Sequence, residues 1–111
     1  MELYFFKSFY IAGFSYYNGS FVFDDLKIGT KIKISWDKNN KYDDNAVGLF
    51  YKNKKIGYIP KEDNHEIATL LKAGYDNIFE TIVQQLSPDQ HPEAQVKIAV
   101  FIKNKKKSEK K

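Results

Sequence analysis

The sequence predicts a mainly β fold with one or two short helices: a small, closed or nearly closed β-barrel of about six strands. Short runs rich in Val, Ile, Tyr, Phe and Trp alternate with clusters of Asn, Asp, Gly and Pro, the pattern of strands joined by tight turns. Only one stretch, 61–74, has helical spacing. The 111 residues, 42% hydrophobic, suffice for one compact core and not two. Short strands share such a core best when closure removes their exposed edges.

Glu2 to Phe14 reads as one long strand or two short ones, with Gly13 relieving a bend. Ser15 to Gly19 is a loop, Phe21 to Phe23 a short extended piece, and Asp24 to Gly29 a turn. Thr30 to Trp36 alternates cleanly. Ile32, Ile34 and Trp36 face the core, while Lys31, Lys33 and Ser35 form a solvated face. Asn39 to Asn45 is dense in turn formers. Ala46 to Tyr51 and Lys55 to Ile59 form a hairpin stopped by Pro60.

The helix follows. Asp63 is placed to cap it, Glu66 completes a capping-box spacing, Ile67, Leu70 and Leu71 share one face, and Gly74 ends it. Asp76 to Leu86 and Gln95 to Lys103 are the last strands, joined by a loop holding two of the three prolines. Residues 1–103 are thus expected to form the barrel and 104–111 a disordered, lysine-rich tail.

The net charge of +4 is unevenly placed. Lys103 to Lys111 holds six Lys and one Glu, whereas residues 1–102 hold twelve Lys and thirteen acids, a net of −1. The basic balance belongs to the tail and does not imply a basic folded face. There is no Arg, so lysines can act only as point charges on phosphates. There is no Cys, which excludes disulfides and thiolate metal sites and fits a reducing, cytoplasmic setting. His65 and His91 are too few for a His-rich metal site, so no metal and no cofactor are expected. Met1 to Phe14 is apolar, but Glu2 and Lys7 interrupt it, so neither a signal peptide nor a membrane span is expected.

Three motifs stand in order. Ala12 and Gly13 precede the pair Tyr16-Tyr17. Asn40, Tyr42, Asp43, Asn45, Ala46 and Val47 form an N-x-Y-D-x-N-A-V run. Lys55 to Pro60 reads K-I-G-Y-I-P. By themselves they admit plain readings. Asp43 and Asn45 could serve only to satisfy backbone N–H groups in an Asx turn. Tyr16 and Tyr17, if part of a regular strand, would split into one core and one surface ring.

Together, over roughly Phe9 to Ile102, they resemble the HIRAN domain family. The resemblance implies a modified OB-like barrel that binds the 3′ end of single-stranded DNA. It implies that Tyr16 and Tyr17 stack on terminal bases and that Asp43 accepts a hydrogen bond from the free 3′-hydroxyl. Asn40 and Tyr42 would contact the last nucleotides, Lys61 a phosphate, and Tyr58 would line the groove. It also implies a setting in DNA repair or replication-fork processing. Since such modules accompany helicase or nuclease domains in larger proteins, a helicase or nuclease partner is implied too.

The sequence departs from the family's pattern. Ser15 stands where end-binding members carry an arginine, and Lys41 where proline is frequent. With a slightly acidic body, the expectation is weak, salt-sensitive binding. Asp43-Asp44 with Lys61, and Asp24-Asp25, are the residues a nuclease reading would use. Adjacent Asp residues rarely converge on one metal, and no base–nucleophile set is visible, so no catalysis is expected. The other reading is an SH3-like, peptide-binding barrel, its aromatic groove built from Tyr16, Tyr17, Trp36, Tyr42 and Tyr58.

Overall fold

A computed structural model describes residues 2–104. Six strands form two antiparallel three-stranded sheets. In the first, β1 (Leu3–Tyr10), β6 (Val96–Lys103) and β5 (Phe79–Leu86) lie in that order. In the second, β2 (Lys33–Trp36), β3 (Val47–Tyr51) and β4 (Lys54–Tyr58) do. The ladders do not run continuously round a barrel. The sheets meet at two short seams, a bridge from Ala12 to Tyr58 and one from Lys31 to Ile82. At the first, Ala12 and Tyr58 exchange both main-chain bonds at 2.9 Å. At the second, the Ile32 N–H donates to the Thr81 carbonyl and the Val83 N–H to the Thr30 carbonyl, both at 2.9 Å.

One core fills the space between the sheets. Phe9 and Ile11 enter it from β1 and its extension, Ile32 from the run into β2, Val47 and Leu49 from β3, and Ile56 from β4. Val83, Val96, Ile98 and Val100 enter from β5 and β6. The predicted alternation holds from Lys31 to Ser35, where Ile32 is buried, Ile34 packs on the core and the lysines and Ser35 are exposed; Trp36, expected to face the core, is half-buried and does not pack on it. In β5 the inner face is Phe79, Thr81 and Val83; the three residues expected to lead that strand, Asp76 to Ile78, form a 3-10 turn instead.

The β3–β4 hairpin turns on Lys52 (φ 46°) and Asn53 (φ 70°), the paired positive values of a two-residue type I′ loop. In β4 the register slips beside Gly57, leaving Leu49 opposite Gly57 and Phe50 opposite Lys55. Gly57 has φ +147°, and a Cβ there would lie 2.4 Å from the Ile11 methyl and 2.5 Å from the Ala12 carbonyl oxygen. The glycine of the K-I-G-Y-I-P run is therefore what lets the two sheets approach at the first seam.

Three expectations need correction. The first strand stops at Tyr10, and only Ala12 of its continuation pairs. Phe21 to Phe23 is not extended: α1 (Gly19–Val22) and a 3-10 turn over Phe23–Asp25 occupy it. That winding puts Val22 in the core and sets Phe23 edge-on to Phe14, 6.3 Å between ring centres, which a two-residue period could not do. Finally, α2 (His65–Lys72) is capped at Asn64, not Asp63, and the cap makes no side-chain hydrogen bond to the helix. Ile67 is buried and Leu70 and Leu71 pack on the core as expected. Gly74, just past the helix, has φ +92° and donates its N–H to the Leu71 carbonyl.

No helix among the described residues is long and apolar enough to cross a membrane. Asn104, counted with the tail in the sequence, donates its backbone N–H to the Glu2 carbonyl at 3.1 Å. The rest of the expected tail, 105–111, lies outside the described residues.

Candidate functional site

The polar loop between β2 and β3 is held shut at its base, where the Asp37 N–H donates to the Ala46 carbonyl at 2.8 Å. Inside it, Asn40 does the work a proline would do by rigidity. Its Oδ1 accepts from the Tyr42 N–H (2.8 Å) and the Asp43 N–H (3.0 Å), and its Nδ2 donates to Asp37 Oδ2 (3.3 Å). Lys41 at the expected proline position therefore does not leave the loop without internal ties.

The Asx-turn reading of Asp43 is half the account. Oδ1 accepts from the Asn45 N–H at 2.9 Å, as that reading requires. Oδ2 instead accepts from Asn64 Nδ2 at 2.9 Å. Asn64 is only 2% exposed, and its amide is turned to the loop and not to the helix it precedes. Helix α2 braces the loop twice more: Lys72 Nζ donates to Asn45 Oδ1 at 2.8 Å, and Asn45 Nδ2 lies 3.4 Å from His65 Nδ1. The Trp36 indole N–H donates to the Asp44 carbonyl at 2.9 Å. Trp36 is thus a brace for the loop.

A second chain of contacts links this loop to Tyr17 of the tyrosine pair. Tyr58 Oη donates to Asp37 Oδ2 at 2.7 Å and accepts from Lys55 Nζ at 2.8 Å. The Tyr17 ring meets the Tyr58 ring edge-on, 5.7 Å between centres. The Lys55 ammonium sits 4.5 Å from the Tyr58 ring centre, 5.3 Å from Tyr17 and 5.9 Å from Phe50. Tyr17, Tyr58, Asp37, Asn40 and Asp43 therefore form one continuous surface. Neither phenol of the pair is in the interior; Phe14, two residues earlier, is the core ring. Tyr16 is 83% exposed and Tyr42 91% exposed, flat apolar surfaces held out into solvent on braced backbone.

Both carboxylates are held below the ordinary Asp value. For Asp43 the Asn45 N–H contributes most, burial opposes it, and the Asn64 amide and the charges of Lys61 and Lys72 add to the lowering. Lys61, on the turn after Pro60, is thus close enough for its charge to act on Asp43. For Asp37 the Tyr58 hydroxyl contributes most, against burial, with Asn40 and Lys55 adding. Tyr58 is pushed up, first by burial and then by its bond to Asp37. The site presents a fixed anion at neutral pH, with lysines close by and exposed rings around it. Among the described residues no group of three His, Asp or Glu could hold a metal ion.

The lowered values have a consequence for stability. A carboxyl whose folded pKa is depressed stabilises the fold above its unfolded value, about 3.9, and loses that contribution as pH falls through the folded value. Urea unfolding at pH 5, 4 and 3 should show stability falling on the acid side of about pH 4. Asp37→Asn should flatten part of that fall. An acid limb identical in the variant would show that Asp37 is not so held.

The sequence singles out Tyr16, Tyr17, Asn40, Tyr42, Asp43, Tyr58 and Lys61 as candidates; it does not single out Asp37, Lys55 and Asn64, which bond or pack against several of them. Asn64 had a signal, an Asn directly before a helical run, but that signal points to capping. Asp37 and Lys55 reach the site across the sheet, and nothing in their spacing shows it.

The fold and this surface define a class: a small two-sheet β-barrel with tyrosines, amides and a carboxylate gathered beside one hairpin. The HIRAN domain model matches residues 4–105, and the chain belongs to the HIRAN domain family. No curated protein matches it. A crystal structure of a protein from Lactobacillus plantarum superposes with a TM-score of 0.75 at 23% identity, over 91% of this chain and 95% of that one. The HIRAN domain of human HLTF superposes with a TM-score of 0.59 at 18% identity, over 96% of this chain and 84% of that one. At those identities the two structures speak to the fold, which is the OB-like barrel the motifs implied.

Proposed function

We propose that this domain binds the free 3′-hydroxyl end of single-stranded DNA and performs no chemistry on it. HIRAN domains are single-stranded-DNA-binding modules. The observation that carries the reading here is Asp43: an ionised carboxylate, fixed on both oxygens by Asn45 and Asn64, within reach of the Lys61 charge and next in sequence to the exposed Tyr42. Each carboxylate oxygen can accept a further bond, and a terminal hydroxyl is the donor a strand end offers. A 3′-phosphate brought to the same place would meet like charge.

Tyr16 and Tyr42 supply faces for the last bases, each stacked base contributing about 1–3 kcal/mol. Tyr17 has a different part. With its ring against Tyr58 and Lys55, it positions the groove wall more than it offers a free face. Asn40 positions the backbone of Tyr42 and Asp43, and Lys61 neutralises the terminal phosphodiester. A setting in DNA repair or replication-fork processing, alongside a helicase or nuclease, is what the family resemblance implies, and with the cytoplasmic setting expected from the sequence it stands as part of this proposal.

The test is a titration of one labelled single strand in two forms, 3′-hydroxyl and 3′-phosphate, at low salt. The hydroxyl form should bind tighter, and both affinities should fall steeply with salt. Equal affinities would remove the end-recognition reading. Capture of a peptide ligand through Tyr17, Tyr42 and Tyr58 with no strand binding would favour the peptide-binding alternative.

A further inference from the structure

We propose that the outer face of β2 and β3 is a second subsite, which carries the strand upstream of its terminus. This rests on the end-binding reading above and adds a place that, apart from Lys55 and Tyr58, lies outside the three motifs.

The face is set by register. Lys33 of β2 lies opposite Phe50 of β3, and Phe50 lies opposite Lys55 of β4. In the neighbouring row Ser35 lies opposite Gly48, and Gly48 opposite Tyr58. One row is therefore a ring between two cations, and the next has small residues at its centre. The Phe50 ring leans back over Gly48: a Cβ there would lie 2.9 Å from the ring edge. A shallow groove results, running from Asp37 past Ser35, Gly48 and Phe50 to Lys33 and Asn53. It begins at Asp37, a member of the end site, and follows β2 for about 13 Å at the usual rise per residue, room for more than one nucleotide.

Charge selects the occupant. The chain up to residue 102 has a net charge of −1, yet the only acid lining this groove is Asp37, at its end. Asp37 is already bonded by Tyr58 and Asn40. Two lysines outside the groove have carboxylate partners, Lys31 with Glu80 and Lys7 with Glu66. Among the described residues Lys33 has no carboxylate partner. An aromatic face flanked by two cations on adjacent strands, Lys33 and the Tyr58-bonded Lys55, suits a base with its two phosphates, the sequence-tolerant pattern of single-strand grooves. Lysine without arginine limits these contacts to charge neutralisation, so the subsite should raise affinity and salt sensitivity without reading sequence.

The test uses the full chain and labelled 3′-hydroxyl oligothymidylates of three and nine nucleotides at low salt. The nine-mer should bind about tenfold tighter than the three-mer. Phe50→Ala and Lys33→Glu should each cut that ratio several-fold and leave three-mer affinity unchanged. Lys33 is exposed and makes no ion pair among the described residues, so Lys33→Glu keeps the test decisive should Phe50→Ala fail to fold. Equal wild-type affinity for both lengths, or variants that weaken both equally, overturns the subsite. A three-mer indifferent to 3′-phosphorylation overturns the end-recognition reading alone, because the groove is read from the ratio between lengths.

Discussion

Asp43→Ala is expected to abolish the preference for a 3′-hydroxyl over a 3′-phosphate and to weaken hydroxyl-end binding by about 10- to 100-fold. A hydrogen bond to a charged group contributes roughly 1.5–3 kcal/mol, and 1.4 kcal/mol is tenfold. Affinity loss alone would be ambiguous. Asp43 also accepts from Asn45 and Asn64, so its removal loosens the loop that carries Tyr42. The ratio separates the two effects. Loss of the loop weakens both oligonucleotides, whereas loss of the charge weakens the hydroxyl form and relieves repulsion of the phosphate form. The variant should bring the two affinities together. A variant that binds both forms more weakly but keeps the wild-type ratio would show that the discriminating group lies elsewhere.

Gly57→Ala is expected to have the largest effect on stability, about 3 kcal/mol or more. Two costs combine there. A non-glycine residue at φ +147° carries backbone strain of about 1–3 kcal/mol. The added methyl meets Ile11 and the Ala12 carbonyl at 2.4 and 2.5 Å, and overpacking of that kind costs about 1–3 kcal/mol again. The Ala12 carbonyl is backbone and accepts from Tyr58, so relief opens the seam between the sheets. The melting temperature should fall by roughly 10 °C or more. Gly29→Ala is the matched control: φ is +93° there too, but a Cβ would meet nothing within 4 Å, so only the strain remains. Similar melting temperatures for the two variants would show that the seam tolerates displacement. Since Tyr58 sits on that seam and holds Asp37, Gly57→Ala should also weaken strand binding.

Both predictions concern residues whose type was legible and whose reason was not. The N-x-Y-D run marks Asp43, and K-I-G-Y-I-P marks Gly57. Yet the buried Asn64 behind one and the Ile11–Ala12 backbone against the other come from distant parts of the chain. The α1 segment shows the converse. Phe21 to Phe23 has the composition of a strand, but placing Val22 inside and Phe23 on Phe14 needs a helical step.

What the sequence determined by itself is the periodic part of the molecule: a β-rich chain, the hairpin, the helix after Pro60, and the turn-rich loop that carries Tyr42 and Asp43. Those follow from spacing and turn chemistry, which act over a few residues. Tertiary structure alone decided that Tyr58, Asp37 and Lys55 tie Tyr17 to the loop, and that Lys33 and Lys55 flank Phe50 on adjacent strands. Strand pairing brings together residues far apart along the chain, and local periodicity carries no record of which strands will be neighbours.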